Sequence, residues 1–349
     1  MRSERTPDVL IVSLGSTEGL RSADDQFAQT LERAGASVEI ARARRPREVR
    51  TMMLTDLQWA RAARTAAVER LKDGRPRAVL YSSTTAALLW PRAGAIRFDA
   101  SSRGNRPGRH GLWQRPLERR RLAQAPLLLP LTAQAMDEAP RSPGREQRTL
   151  VLPIPVAPSG TRQGVRDIAA VTYGANPSKK GLDLVLAAWR RLRRAAGHDG
   201  DELLIAGVGE ADLLDAGVLK GREPGIRVVG KLPAADYRAL LRRARLFVCA
   251  PRREDYGTAQ LEALADGCML VTTASPGPYA ALPIARLLDP RLVGPDIEAG
   301  MRTALRDPTP GYAERALEAL EPFSPRAVDR LVVERLLPRL LAEGAQLGP

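Results

Sequence analysis

Glu254 and Glu262 stand eight positions apart in the segment EDYGTAQLE. Glu254 follows the apolar run LFVCA in a polar loop, whereas Glu262 lies two turns inside the helical pattern TAQLEALADG, among Leu261, Ala263, Leu264 and Ala265. A carboxylate set among small apolar side chains is an unusual choice for a solvent face. Such a pair could accept hydrogen bonds from hydroxyls or hold developing positive charge. Gly257 and Thr258 open the helix, and the unpaired N–H groups of a helix start attract anions. A phosphate could therefore sit beside both carboxylates. An ordinary amphipathic helix preceded by a loop glutamate has the same spacing, so this segment alone leaves both readings open.

A second loop, GANPSKKGLD, follows the run IAAVTY and also leads into a helical pattern. Gly174 and Gly181 let the backbone approach a ligand closely. Lys179 or Lys180 could reach a phosphate as a point charge, and two adjacent lysines stand out in a chain that has only five. A solvated turn before a helix is the plainer reading of the same residues. Gly207 belongs to a third loop, VGE after ELLIAG, whose Gly-x-Gly matches neither a GxGxxG nor a Walker pattern.

The elements around these loops alternate. DVLIVSL, SVEIAR, PRAVLYS, AIRFDA and APLLLPLT read as strands of a first half, with helices over SADDQFAQTLERAG and TTAALLW. IAAVTY, ELLIAG, IRVVG, LFVCA and MLVTT read as strands of a second half, alternating with four helical patterns, and further helical patterns fill 296–306, 311–321 and 325–343. The fold class is α/β, with two Rossmann-like doubly wound domains, and in such sheets ligands bind outside the carboxyl ends of the strands. The Pro-, Gly- and Arg-rich stretch 140–164 reads as a linker around a short strand. The expected divisions are 1–150, 151–323, and a C-terminal helix over 324–349.

Composition narrows the class. The 349 residues suit two domains, 44% hydrophobic content suits a globular chain, and no apolar run is long enough to span a bilayer. Charges and Pro near the N-terminus do not fit a signal peptide. Cys249 and Cys268, each in an apolar segment, read as buried thiols of a reducing compartment. A cytoplasmic protein is expected.

Taken in order, the loops resemble those of the retaining glycosyltransferases of the GT-B fold, specifically the large family-4 group. The motifs are YGANPSKKG, LLIAGVGE, IRVVGKLPAADYRALLRRA and EDYGTAQLE followed by LADGCMLVTT, covering about residues 168–275. The resemblance implies two domains facing a cleft, with the C-terminal helices packing back toward the first. It implies that the second domain binds a nucleotide-diphosphate sugar and transfers its sugar with retention, with no cofactor and no metal. Glu254 would contact the sugar and hold oxocarbenium charge, and Glu262 would accept hydrogen bonds from the ribose. Lys180 and the Gly257 and Thr258 amides would stabilise the departing diphosphate, with Lys179, Gly174, Tyr256, Gly207 and Lys231 completing the donor site. Two positions depart from the family pattern: Ala175 stands where an arginine is usual, and Phe98, before Asp99, where a histidine is usual. A noncatalytic nucleotide-sugar-binding protein that kept the fold is therefore the alternative.

The charge points to the acceptor. Residues 1–165 carry a net charge of +12, with 28 basic and 16 acidic groups, and the remainder carries +2. An anionic partner is expected for the first half. Nucleic acid is disfavoured, because Arg103–Arg121 holds the single aromatic Trp113 where stacking would need several. The expected acceptor-side residues are Gly15, Ser16, Asp99, Arg103, Arg106, Arg109 and His110, serving a phosphorylated or lipid-linked acceptor or peripheral contact with an anionic membrane surface. His198, in a polar turn, reads as structural.

Overall fold

Apolar runs of four to six residues, with side chains buried on both faces, are what parallel sheets require. A computed structural model of the chain describes residues 6–47, 49, 51–161, 166–195 and 200–346. It divides into two units, Met1–Ile154 with Pro325–Pro349, and Pro155–Ser324.

The first unit holds strands β1 (Val9–Ser13), β2 (Val38–Arg42), β3 (Ala78–Tyr81), β4 (Ala95–Phe98) and β5 (Leu128–Pro130), parallel throughout in the order β2-β1-β3-β4-β5. Alternate residues face opposite ways along each strand, and the core divides accordingly. Leu10, Val12, Val79, Tyr81 and Phe98 pack with Ala63 and Ala67 of the helix Met52–Asp73. Val9, Ile11, Ala78, Leu80 and Leu129 pack with Phe27 and Leu31 of the helix Glu18–Arg33. The chain's end completes that second face. Val328, Val332, Leu336 and Leu340, each four residues after the last, join the same cluster, and Arg33 pairs with Asp329 at 2.7 Å.

Three readings of this half need correction. The helix Met52–Asp73 was not anticipated, because its buried line is Asp56, Ala60, Ala63 and Ala67, too weakly apolar to stand out. TTAALLW forms only one helical turn, Thr84–Ala87, capped by Ser83; Pro91 disfavours helical backbone just before it. The segment read as linker belongs largely to the first unit. Leu150 and Leu152 donate to the carbonyls of Leu128 and Pro130 at 2.9 Å and are buried in its core, so the division falls after Ile154 rather than after residue 150.

The second unit holds β6 (Ile168–Tyr173), β7 (Leu203–Ala206), β8 (Ile226–Gly230), β9 (Ala244–Cys249) and β10 (Met269–Thr272), in the order β10-β9-β6-β7-β8. The succession reverses between β6 and β9, which pair in parallel with Ala170 opposite Leu246 and Val171 opposite Phe247. This is the switch point at which the loops leaving adjacent strands diverge and open a binding crevice. The loops that leave it are the lysine loop and the glutamate loop. A helix over Ala281–Leu288, absent from the sequence reading, follows β10.

Candidate functional site

Beyond β6 the chain turns through Gly174 and Asn176 into the single helical turn Pro177–Lys180. Asn176 takes left-handed backbone, φ 56°, and its side chain accepts the Lys179 N–H at 3.2 Å. Gly181 follows with φ 62°, and a Cβ there would lie 1.8 Å from the Ala250 carbonyl oxygen. Only glycine permits this approach, which seats the lysine loop against the end of β9. Arg252 fastens the two loops: its N–H donates to the Lys179 carbonyl at 2.9 Å, and its guanidinium to the Ser178 carbonyl at 2.7 Å and to both Asp183 oxygens.

The fastening brings the two chemical loops into contact. Lys180 Nζ donates to Glu254 Oε2 at 2.7 Å, and the Glu254 side chain is 5% exposed. Lys179 Nζ donates to Asp255 Oδ2 at 2.6 Å, and Arg253 Nε to Asp255 Oδ1 at 2.7 Å. Burial pushes the Asp255 carboxyl up, but Lys179 and Arg253 outweigh it and hold the group below the ordinary range. The Glu254 backbone is fixed as well, since its N–H donates to the Pro276 carbonyl at 3.0 Å. Four cations, Lys179, Lys180, Arg252 and Arg253, thus face three carboxylates, Asp183, Glu254 and Asp255, beside the start of the helix Thr258–Ala265. The excess positive charge and the helix N–H groups suit a phosphate.

Glu262 lies on that same helix, half-buried, with its nearest cation, Arg238, 3.9 Å away. Burial raises its pKa, Arg238 opposes the shift, and Asp266 adds to it. Arg238 is itself engaged, donating to Asp266 at 2.5 Å and to the Ala157 carbonyl at 2.7 Å. Glu262 is thus a carboxylate with little protein compensation, able to accept hydrogen bonds from a ligand.

The remaining expected donor residues fall in different places. Gly257, φ 91°, precedes Thr258 at the helix start, and Tyr256 is buried beside them. Gly174 and Gly207 lie in the loops after β6 and β7, and both have packing reasons for their identity. A Cβ at Gly174 would lie 2.7 Å from Val208 Cγ1, and one at Gly207 would lie 2.5 Å from the Tyr173 ring. Lys231 is exposed after β8, two strands from β6 in the sheet order. Lys179 is committed to Asp255. The sequence reading missed Asp255, Arg252, Arg253 and Gln260. The sequence also contains an Asp-x-Asp triplet, Asp199-Gly200-Asp201; Asp201 pairs with Arg245 at 2.6 Å, and Asp199 lies outside the described residues.

In the first unit, Gly15 and Ser16 follow β1, Gly15 with φ 55°, and Asp99 follows β4, where it accepts the Ala100 N–H at 2.7 Å. Phe98 points into the core. Arg103, Arg109 and His110 are exposed, in short helical turns rather than in an open loop. Arg106 does not join them. Its Nε and Nη2 donate to the two oxygens of the buried Asp56 at 2.6 and 3.1 Å, and Gln114 donates to the same carboxylate at 2.7 Å. Arg106 therefore anchors its segment to the helix Met52–Asp73, and its expected acceptor role is withdrawn. Arg121 is likewise structural, donating to the Leu88 carbonyl at 2.9 Å over the Trp90 ring. The sequence reading missed a buried cluster at the carboxyl ends of β1, β3 and β4, in which Ser13 and Ser82 donate to Asp24 and Arg97 lies 4.0 Å from it. His198 lies outside the described residues. Cys249 and Cys268 are buried free thiols, and burial raises the pKa of both.

No helix among the described residues is long and apolar enough to cross a membrane, and none of their acidic, His and Cys groups cluster as metal ligands.

Comparison with known proteins agrees with this architecture. Residues 167–305 match the family model described as glycosyl transferases group 1. No curated protein matches the sequence. Among solved structures, the chain is similar to the sucrose-phosphate synthase of Thermosynechococcus elongatus, with 15% identity, TM-score 0.71, and coverage of 97% of this chain and 100% of that one. It is similar to an α,α-trehalose-phosphate synthase of Burkholderia xenovorans, solved with glucose-6-phosphate, with 15% identity, TM-score 0.68, and coverage of 96% and 99%. It is also similar to the Anabaena protein HepE, solved with UDP and glucose, with 14% identity, TM-score 0.67, and coverage of 95% and 99%. At these identities the likeness is one of fold, and the fold is GT-B.

Proposed function

We propose that the chain is a retaining glycosyltransferase that moves a sugar from a nucleoside diphosphate sugar to a hydroxyl acceptor. The observation that carries the reading is the Lys180–Glu254 contact at 2.7 Å, on two loops that leave the switch point of a sheet within the segment matched by the glycosyl transferase family model. With donor bound, Lys180 and the N–H groups at Gly257 and Thr258 would take the diphosphate, and Glu262 the ribose hydroxyls. The anomeric C–O bond breaks, and its electron pair leaves on the β-phosphate oxygen, which those donors stabilise. The acceptor hydroxyl attacks the same face, and its proton passes to that departing oxygen. Glu254 holds the sugar hydroxyls and the positive charge that builds on the ring. The chemistry draws on Lys180 and backbone dipoles, so a chelator should leave the rate unchanged. An absolute requirement for a divalent ion would contradict the mechanism.

The acceptor is proposed to be anionic. The support is the +12 charge of residues 1–165 and the exposure of Arg103, Arg109, Arg119, Arg120 and His110 on the first unit. Two buried free thiols suit the cytoplasm, where this charge could also meet the inner face of a membrane. Sedimentation with anionic vesicles at low and high salt, comparing wild type with a variant carrying both Arg103→Ser and Arg109→Ser, separates a lipid-borne acceptor from a soluble phosphorylated one. Equal, salt-insensitive recovery in the supernatant leaves the soluble acceptor.

The donor is tested by thermal shift across nucleoside diphosphates and their sugars, since a bound ligand stabilises in proportion to the logarithm of its excess over Kd. Turnover of the stabilising sugar then separates an enzyme from a binding protein. If no nucleoside diphosphate stabilises the chain, the reading fails.

A further inference from the structure

Gln260 is a polar side chain in a place that gives it little. It lies in the first turn of the helix Thr258–Ala265 and is 2% exposed. Its Nε2 donates to Glu254 Oε2 at 2.9 Å and contacts Cys249 Sγ at 3.7 Å. Its Oε1 is buried without a hydrogen-bond partner, pressed toward Gly257, where a Cβ would lie 3.2 Å from it. An ionised carboxylate can only accept, so the amide must present its nitrogen to Glu254 and leave its oxygen stranded. Unpaired buried oxygens oppose folding, and a residue retained against stability points to a task at the site it serves.

The geometry indicates the task. Lys180 and Gln260 both donate to Oε2 of Glu254, whereas Oε1 takes no hydrogen bond among the described residues. We propose that Gln260 is a positioning residue that fixes the Glu254 carboxylate from the protein interior, so that one oxygen is spent on protein donors and the other is presented to the substrate. This rests on the reading of Glu254 as the residue that meets the reacting sugar. Lys180 cannot do the same work alone. It is the group expected to turn toward the diphosphate when donor binds, and at that moment Gln260 becomes the donor that keeps Glu254 in place.

The test compares wild type with Gln260→Met, which keeps the volume and removes both the donor and the stranded oxygen. Thermal unfolding should move by no more than about 3 °C, because the lost donor and the relieved oxygen offset each other. In crystals of a variant carrying both Lys180→Met and Gln260→Met, the Glu254 carboxylate should leave the position it keeps when Lys180→Met is made alone, because Lys180 and Gln260 are its two side-chain donors. Turnover of Gln260→Met should fall about tenfold to a hundredfold, while Kd for the bare nucleoside diphosphate stays within about twofold. Gln260→Asn, which draws the amide back by one carbon, should show the same loss of rate. A Gln260→Met variant that melts far below wild type would make Gln260 a packing residue, and a Glu254 carboxylate that holds the same position in the double variant as in Lys180→Met alone would overturn the proposal. If wild type turns over no nucleotide sugar, the reading of the function fails, and the position of Glu254 in the crystals still decides the role of Gln260.

Discussion

Replacing Lys180 by Met should expose how the two site loops are held together. The ammonium lies 2.7 Å from Glu254 Oε2, with side-chain exposures of 22% and 5%. At an effective dielectric of about 20, two unit charges at that distance attract by about 6 kcal/mol, most of it offset by what both lose in leaving water. The variant measures something narrower, the cost of leaving the Glu254 charge buried without its cation. Breaking a fully buried pair costs about 3–5 kcal/mol. Lys180 is partly hydrated and the Gln260 donor remains, so about 2–3 kcal/mol is expected here, or about 4–12 °C in the melting of a unit this size. Calorimetry on wild type, Lys180→Met, Glu254→Gln and the double variant closes a cycle. With Glu254 neutralised, Lys180→Met should cost less than about 1 kcal/mol, since no buried charge is left uncompensated. Equal costs of Lys180→Met in both backgrounds would refute the argument, because the lysine would then stabilise by packing its stem rather than by pairing.

Other perturbations address the remaining groups. Glu254→Gln should remove most turnover and leave donor Kd nearly unchanged, because in the proposed mechanism the carboxylate acts on charge that appears only in the transition state; initial rates beside calorimetric Kd decide, and a large loss of affinity at unchanged rate would contradict the role. Glu262→Gln should weaken nucleoside diphosphate binding more than tenfold. In wild type that binding should hold above the raised pKa of Glu262 and fall as pH drops through it, since the ribose favours the ionised form; a Kd that follows the same pH curve in both proteins excludes Glu262 as the titrating group. The unliganded protein runs the other way. A carboxyl with a raised folded-state pKa contributes most stability below its unfolded value of about 4.5 and loses it as pH rises through the folded value, so Glu262→Gln should melt no lower than wild type at pH 7. Gly181→Ala combines left-handed backbone with a collision against the Ala250 carbonyl and should cost more than about 3 kcal/mol in a denaturant titration.

The fold was legible where burial is on both faces. IAAVTY, LFVCA and MLVTT are apolar without alternation, which only a covered parallel sheet explains, and each became a strand. What the runs could not carry was the identity of the covering elements. Four apolar residues at a spacing of four in the tail show that one helix face is buried. They do not show that it lies on the sheet of the first unit. The helix Met52–Asp73 is harder still, because alanines fit close to a sheet by being small, and smallness leaves little hydrophobic signal.

That unseen helix explains an error at the site level. Arg106 sits in a segment broken by Gly and Pro, and such arginines usually face water, so grouping it with Arg103 and Arg109 followed from local composition. Its partner, Asp56, is fifty residues earlier on the helix that went unrecognised, and a bidentate pair to a buried carboxylate cannot be inferred when one of its elements is missing. The same limit hid Gln260 and Asp255. Their types are ordinary for a loop and a helix start, and only the folded packing buries them and sets Asp255 against Lys179 and Gln260 against Glu254. Lys180 and Glu254 escaped this limit because each stands in a loop leaving an apolar strand, where the fold class alone says that chemistry collects. The distinction is measurable in the first unit. Arg106→Ser leaves Asp56 with Gln114 alone and should cost about 2–4 kcal/mol, whereas Arg103→Ser, at an exposed site, should stay within about 0.5 kcal/mol. Equal melting of the two variants would return Arg106 to the surface cluster with Arg103 and Arg109.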